Sequence, residues 1–137
     1  MIQIQKLISL VHETKNIILN KDLKNHITEK GAADFVTQVD TGVQEYLYEK
    51  LKELDPGVQF IGEENNQNQI DPSEPAWILD PVDGTTNLIF DYQQSAVSLG
   101  YYENGKIWQA VIYNPFSDET FWAVRGKGAF LNDCPIH

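Results

Sequence analysis

At 137 residues, with 42% apolar and 22% charged residues, the chain has the length and composition of one soluble globular domain. Its formal net charge of −10 would repel a nucleic-acid backbone or an anionic membrane, and leaves either an acidic surface or a cleft that takes up a divalent cation. A single cysteine, Cys134, excludes an intramolecular disulfide, fits a reducing cytoplasm and reads as inert, and no stretch reads as an export signal or a membrane span.

In chain order, Met1 to Asn20 carries Ile4, Leu7, Ile8, Val11 and Ile18 at helical spacing, which predicts an amphipathic helix packed on the rest of the domain. Gly31 predicts a loop that sets Lys30 and Asp34 just ahead of a second helix, Phe35 to Leu54, with Asp40 one to two turns inside it. Val36, Val39, Val43, Tyr46, Leu47 and Leu51 form the apolar stripe of that helix, and Asp55-Pro56-Gly57 ends it. Val58 to Gly62 reads as a short strand ending on Glu63 and Glu64. The polar stretch NNQNQIDPSEP after it reads as a solvated loop, either a mobile lid or an inert connector. Trp77 to Leu79 is the next strand. Further strands follow, punctuated by turns at Glu103-Asn104-Gly105-Lys106, at Asn114 to Asp118 and at Gly126-Lys127-Gly128, so they must run antiparallel. The pattern predicts an α+β fold, two N-terminal helices packed on a mainly antiparallel sheet, as one domain over residues 1–137.

The stretch WILDPVDGTTNL, Trp77 to Leu88, drives an apolar strand into two carboxylates, Asp80 and Asp83. Two unit charges ~5 Å apart repel by roughly 3 kcal/mol at an effective dielectric of ~20, so converging carboxylates need protons or a cation. Oxygen ligands without nearby His or Cys favour magnesium, manganese or calcium over zinc. Gly84-Thr85-Thr86-Asn87 then offers N–H groups and hydroxyls for an anion, and a metal beside an anion cradle suggests phosphate ester chemistry. Taken singly, each feature has a blander explanation. Asp83-Gly84-Thr85 is ordinary turn and cap chemistry, Glu63-Glu64 is ordinarily solvated surface, and Asp34-x-x-Thr37 is ordinarily a cap. Jointly, with Asp40, they supply a ligand set.

Three stretches, ADFVTQVD (Ala33 to Asp40), FIGEE (Phe60 to Glu64) and WILDPVDGTTNL, resemble the inositol monophosphatase family of magnesium-dependent, lithium-sensitive phosphatases. Ala96 to Asn132 resembles the sheet strands of that family, so the likeness runs from about Lys30 to the end of the chain. The resemblance implies the first half of an αβαβα sandwich. It also implies a small phosphorylated metabolite as substrate, such as myo-inositol 1-phosphate, and two or three Mg2+ ions, with Mn2+ as a substitute. Glu63, Asp80, Asp83 and the carbonyl of Val82 would be metal ligands, with Glu64 at an outer metal site. Asp83, Gly84, Thr85 and Thr86 would hold the substrate. Thr85 with Glu63 would orient the attacking water, while Asp40 and Lys30 match positions around the catalytic loop and the outer metal sites, with Asp34 and Thr37 supporting them. The implied reaction is direct attack by an activated water with no phosphoenzyme, in a cytoplasmic enzyme that is a homodimer at full length.

Two departures stand out. LIFDYQQS follows Asn87 where the family often has a histidine and an aromatic-proline pair, so Phe90 occupies a polar position. The family's second half, with its Trp-Asp-x-Ala-Ala-Gly motif, has no counterpart here, which implies a truncated form with little or no activity of its own. Three alternatives remain open on sequence. The first is another small phosphate as substrate: 3'-phosphoadenosine phosphate, fructose 1,6-bisphosphate or NADP. The second is a haloacid-dehalogenase-type phosphatase, disfavoured because its aspartates are two apart rather than three. The third is a non-catalytic metal-binding module.

Overall fold

The structure, a computed structural model, describes residues 2–18, 32–62, 71–83 and 96–136; for 32–40 and 81–83 the description is of the backbone. The first helical segment is shorter than its apolar pattern predicts. Helix α1 (Ile4–Glu13) stops at Thr14, and α2 (Lys15–Ile18) follows at once. The break has a local cause: Thr14 is buried, and its hydroxyl donates 2.6 Å to the Val11 carbonyl. Leu7, Ile8, Leu10 and Val11 make one buried stripe on α1, with Ile18 continuing it from α2.

Helix α3 (Ala32–Leu54) begins three residues earlier than expected, so Asp34 lies in its first turn rather than ahead of it, and Asp40 lies beyond its second turn. Val43, Leu47 and Leu51, spaced four apart, are its buried stripe. It ends as the Asp-Pro-Gly sequence predicts, with the Asp55 amide bonding the Leu51 carbonyl and the Val58 amide bonding that of Asp55.

The seven strands β1 (Gln59–Ile61), β2 (Ala76–Asp83), β3 (Ala96–Glu103), β4 (Lys106–Asn114), β5 (Glu119–Val124), β6 (Gly128–Leu131) and β7 (Cys134–Ile136) form one sheet in sequence order. Every neighbouring pair is antiparallel except β1 and β2, which are parallel. The predicted Asn-Gly turn joins β3 to β4, with positive φ at both Asn104 (54°) and Gly105 (78°), the form that matches strand twist. The last described residues pair as β7 against β6, and Cys134 is exposed on that edge.

Alternation along the strands divides the sheet into two unlike faces. Trp77, Leu79, Val97, Leu99, Tyr101, Val111 and Tyr113 are buried against α1 and α3. On the opposite face, Ile78, Ile112 and Phe121 are exposed, and Asp80 stands in register with Ser98, which pairs with Ile112.

Candidate metal and phosphate site

Strand β2 runs further than the predicted Trp77 to Leu79 and carries Asp80, Pro81, Val82 and Asp83 inside the sheet. Asp80 pairs with Ser98 and Asp83 with Ala96, so three steps along β2 match two along β3. One extra residue is taken up between the two aspartates as a bulge, a place where a proline without an N–H is tolerated. In an unbroken strand, positions three apart belong to opposite faces. The bulge instead sets Asp83 opposite Ala96, which shares a face of β3 with Ser98, the partner of Asp80. Asp-Pro-x-Asp is therefore a spacing that returns the second aspartate to the register of the first.

Asp80 is half-buried, and its Oδ1 is shut off from solvent with no hydrogen-bond donor among the described residues. A dry, unpaired carboxylate oxygen is unfavourable, and a hard cation is a partner suited to it. The remaining predicted donors, carboxylates with a carbonyl and a hydroxyl, are of the same oxygen class. Residues of these types fit a hard divalent cation such as magnesium, manganese or calcium. Among the described residues alone, no group of three acidic, His or Cys side chains is assembled.

Three elements converge on this edge. Because β1 is parallel to β2, with Ile61 opposite Ile78, both strands deliver their carboxyl ends to the same side of the sheet. Only residues 55–58 separate α3 from β1, so the helix runs back alongside the strand. Tyr48 meets Phe60 edge-on with 5.3 Å between ring centres, and one turn earlier Gln44 meets Gly62. The helix positions that precede Gln44, among them Asp40, Thr37 and Asp34, belong to the amino-terminal part of α3, on the side of Gln44 away from Tyr48. Lys30, Glu63, Glu64, Gly84, Thr85, Thr86 and Phe90 lie outside the described residues, as does the Asn/Gln-rich loop up to residue 70. The end of that loop is anchored: the Asp71 amide donates 2.8 Å to Gln59 Oε1, and Gln59 Nε2 donates 2.8 Å to the Asp71 carbonyl. Asp71 in turn accepts from the Ser73 hydroxyl at 2.6 Å and the Ser73 amide at 2.9 Å, which together hold its carboxyl below the usual range.

The inositol monophosphatase family profile matches residues 2–137. The chain belongs to the inositol monophosphatase family. It is 41% identical over 114 residues to inositol monophosphatase 3 of Solanum lycopersicum, covering 81% of this chain and 42% of that relative. Among solved structures it superposes with a TM-score of 0.80 and 30% identity on inositol monophosphatase II from Staphylococcus aureus, covering 93% of this chain and 48% of the other. A further family structure, an IMPase/NADP phosphatase complexed with NADP and Ca2+, matches at TM-score 0.79 and 27% identity over 98% of this chain and 51% of that one. The chain thus spans less than half the length of the curated relatives it matches.

Two features of the edge were not legible in the sequence. The bulge has no signal beyond Pro81 itself, and Gln44, between Val43 and Glu45 on the helix, has nothing in the sequence that singles it out.

Proposed function

We propose that this chain carries the metal and phosphate half of a magnesium-dependent phosphomonoesterase acting on a small metabolite such as myo-inositol 1-phosphate. The observation that carries the reading is Asp80: its dry Oδ1, without a hydrogen-bond donor among the described residues, lies at the shared carboxyl edge of β1 and β2, one bulge away from Asp83. Family membership supports it, and so does the relative complexed with NADP and Ca2+, where a divalent cation accompanies a phosphorylated ligand.

In this reading Glu63, Asp80, Asp83 and the Val82 carbonyl hold the ion, with Glu64 at an outer position. Bound there, the ion supplies Lewis-acid stabilisation of phosphate charge and lowers the pKa of an attacking water. Gly84, Thr85 and Thr86 present N–H and hydroxyl donors to the phosphate, and Thr85 with Glu63 orients the water. Lys30 and Asp40, with Asp34 and Thr37 behind them, bound the site from the α3 side. The dianionic substrate is attracted only once the cation offsets these carboxylates, which makes turnover conditional on the metal.

The test is release of inorganic phosphate from myo-inositol 1-phosphate, 3'-phosphoadenosine phosphate, fructose 1,6-bisphosphate and NADP, with and without Mg2+. We expect slow, Mg2+-dependent release that disappears in Asp83→Asn. Thr85→Ala loses hydrolysis while keeping metal binding. Release that persists at the wild-type rate in Asp83→Asn, or without a divalent ion, contradicts the reading.

A further inference from the structure

The sheet face turned away from the helices has a relief of its own. Register places Gly100, Ala110, Ala123 and Ala129 side by side across β3 to β6, a row with no side chain larger than a methyl group. Two residues along each strand, and therefore on the same face, Ser98, Ile112, Phe121 and Leu131 form the neighbouring row. A trough thus crosses the sheet beside a ridge, and at the crest of the ridge Ile112 is 45% and Phe121 40% exposed. Ile78, in register with Gly100, closes the trough at β2. The chain carries 10 Lys and Arg and 20 Asp and Glu residues, yet from β3 to β6 neither row holds a charge; Asp80 stands at the β2 end of the ridge row. An uncharged apolar relief of this extent on a chain of net charge −10 marks a contact surface.

We infer that this face joins two copies of the chain about a two-fold axis that lies between the sheets, midway between trough and ridge and along them. Near the axis, that rotation sets each strand over its own counterpart and the ridge of each copy in the trough of the other: Ile112 over the partner's Ala110, Phe121 over the partner's Ala123 and Leu131 over the partner's Ala129. A two-fold contact uses one patch twice, so the patch must be complementary to itself, and a ridge beside a parallel trough meets that condition. Twisted sheets stack face to face at about 30° and about 10 Å apart, close enough for such rows to interdigitate. The five strands β2 to β6, about 4.8 Å apart and about 20 Å long over six residues, give the two copies about 1,000 Å2 of joint cover before side-chain relief is counted, which reaches the size of a specific interface.

Association of this kind has a signature that general stickiness lacks. Ala110→Ile adds apolar surface, so a merely hydrophobic face would bind more tightly, whereas a ridge set against a ridge binds less tightly. Ile112→Ala sets trough against trough. Combining the two changes exchanges the rows on β4 and restores the fit. The experiment is analytical ultracentrifugation of the 137-residue chain between about 1 and about 200 μM, in EDTA so that no divalent ion bridges the copies, with circular dichroism to establish that each variant is folded. Expected is a monomer–dimer equilibrium in the wild type, at least about tenfold weaker in Phe121→Lys and about tenfold weaker in each of Ala110→Ile and Ile112→Ala, with the double variant within about threefold of the wild type. A folded wild-type chain that stays monomeric over the whole range overturns the inference and leaves the face to a different partner. A dimer that Phe121→Lys does not weaken, a dimer that Ala110→Ile tightens, or open-ended oligomers in place of a dimer overturn it equally. If Phe121→Lys does not fold, the Ala110 and Ile112 variants decide alone.

Discussion

At the scale of residues, the chain keeps two kinds of polar group in semi-buried places. Asp80 is held at the β1/β2 edge with its Oδ1 lacking a donor among the described residues. His12, at the other side of the sheet, is instead fully employed. Its Nε2 lies 2.7 Å from Thr120 Oγ1, and its ring lies 4.5 Å from that of Tyr113, whose hydroxyl donates 3.0 Å to Asp118. Desolvation pushes the His12 pKa below 6.5, against the opposing pull of Asp118 and with a small push from Lys15. The same packing, with the Asp118 contact, raises the Tyr113 hydroxyl to about 12. The sign for His12 follows from proton uptake. As pH falls through 6.5 the unfolded chain takes up the proton before the folded one, so stability declines until the lowered folded pKa is passed. His12→Gln removes that contribution, and the predicted result is a shallower loss of urea midpoint than in wild type as pH falls through 6.5. Parallel curves for the two proteins would show that His12 does not titrate differently on folding.

At the scale of elements, the helix α3, its Asp-Pro-Gly stop and the three hairpin turns were legible because each has a local cause: a four-residue apolar period, a proline that cannot continue a helix, and residues that accept positive φ. The break at Thr14 was not legible, since the apolar period continues through it to Ile18 and only the hydroxyl-to-carbonyl bond reveals the interruption. The length of β2 was missed for a related reason: Pro81 ordinarily argues against a strand interior, and only the pairing with β3 shows that a bulge admits it. Which face of that sheet is inside can be tested by a matched pair. Leu99 is 1% exposed and Ile112 is 45% exposed, on opposite faces. Leu99→Ala is expected to cost about 2–5 kcal/mol by urea unfolding, and Ile112→Thr about 0.5 kcal/mol. Comparable costs at the two positions would contradict the assignment of faces.

At the scale of the whole molecule, a helical layer covers one sheet face, and the carboxylate-bearing edge is built from the parallel β1/β2 pair and the approaching turn of α3. The motif stretches that resemble the family, ADFVTQVD, FIGEE and WILDPVDGTTNL, were readable as a ligand set from residue type alone. That β1 and β2 run their carboxyl ends to one edge was not, because it depends on β1 being parallel to β2 while all other pairs are antiparallel, a pairing that no local pattern encodes. The central claim is that this edge holds a divalent cation through Asp80. The most direct test is calorimetric titration of the 137-residue chain with Mg2+ and Mn2+ beside Asp80→Asn, a change that keeps the side-chain shape and removes the charge. Saturable binding by the wild type, weakened at least about tenfold in the variant, is the predicted result. A folded wild-type chain that binds neither ion, or an Asp80→Asn chain that binds them equally well, would contradict it.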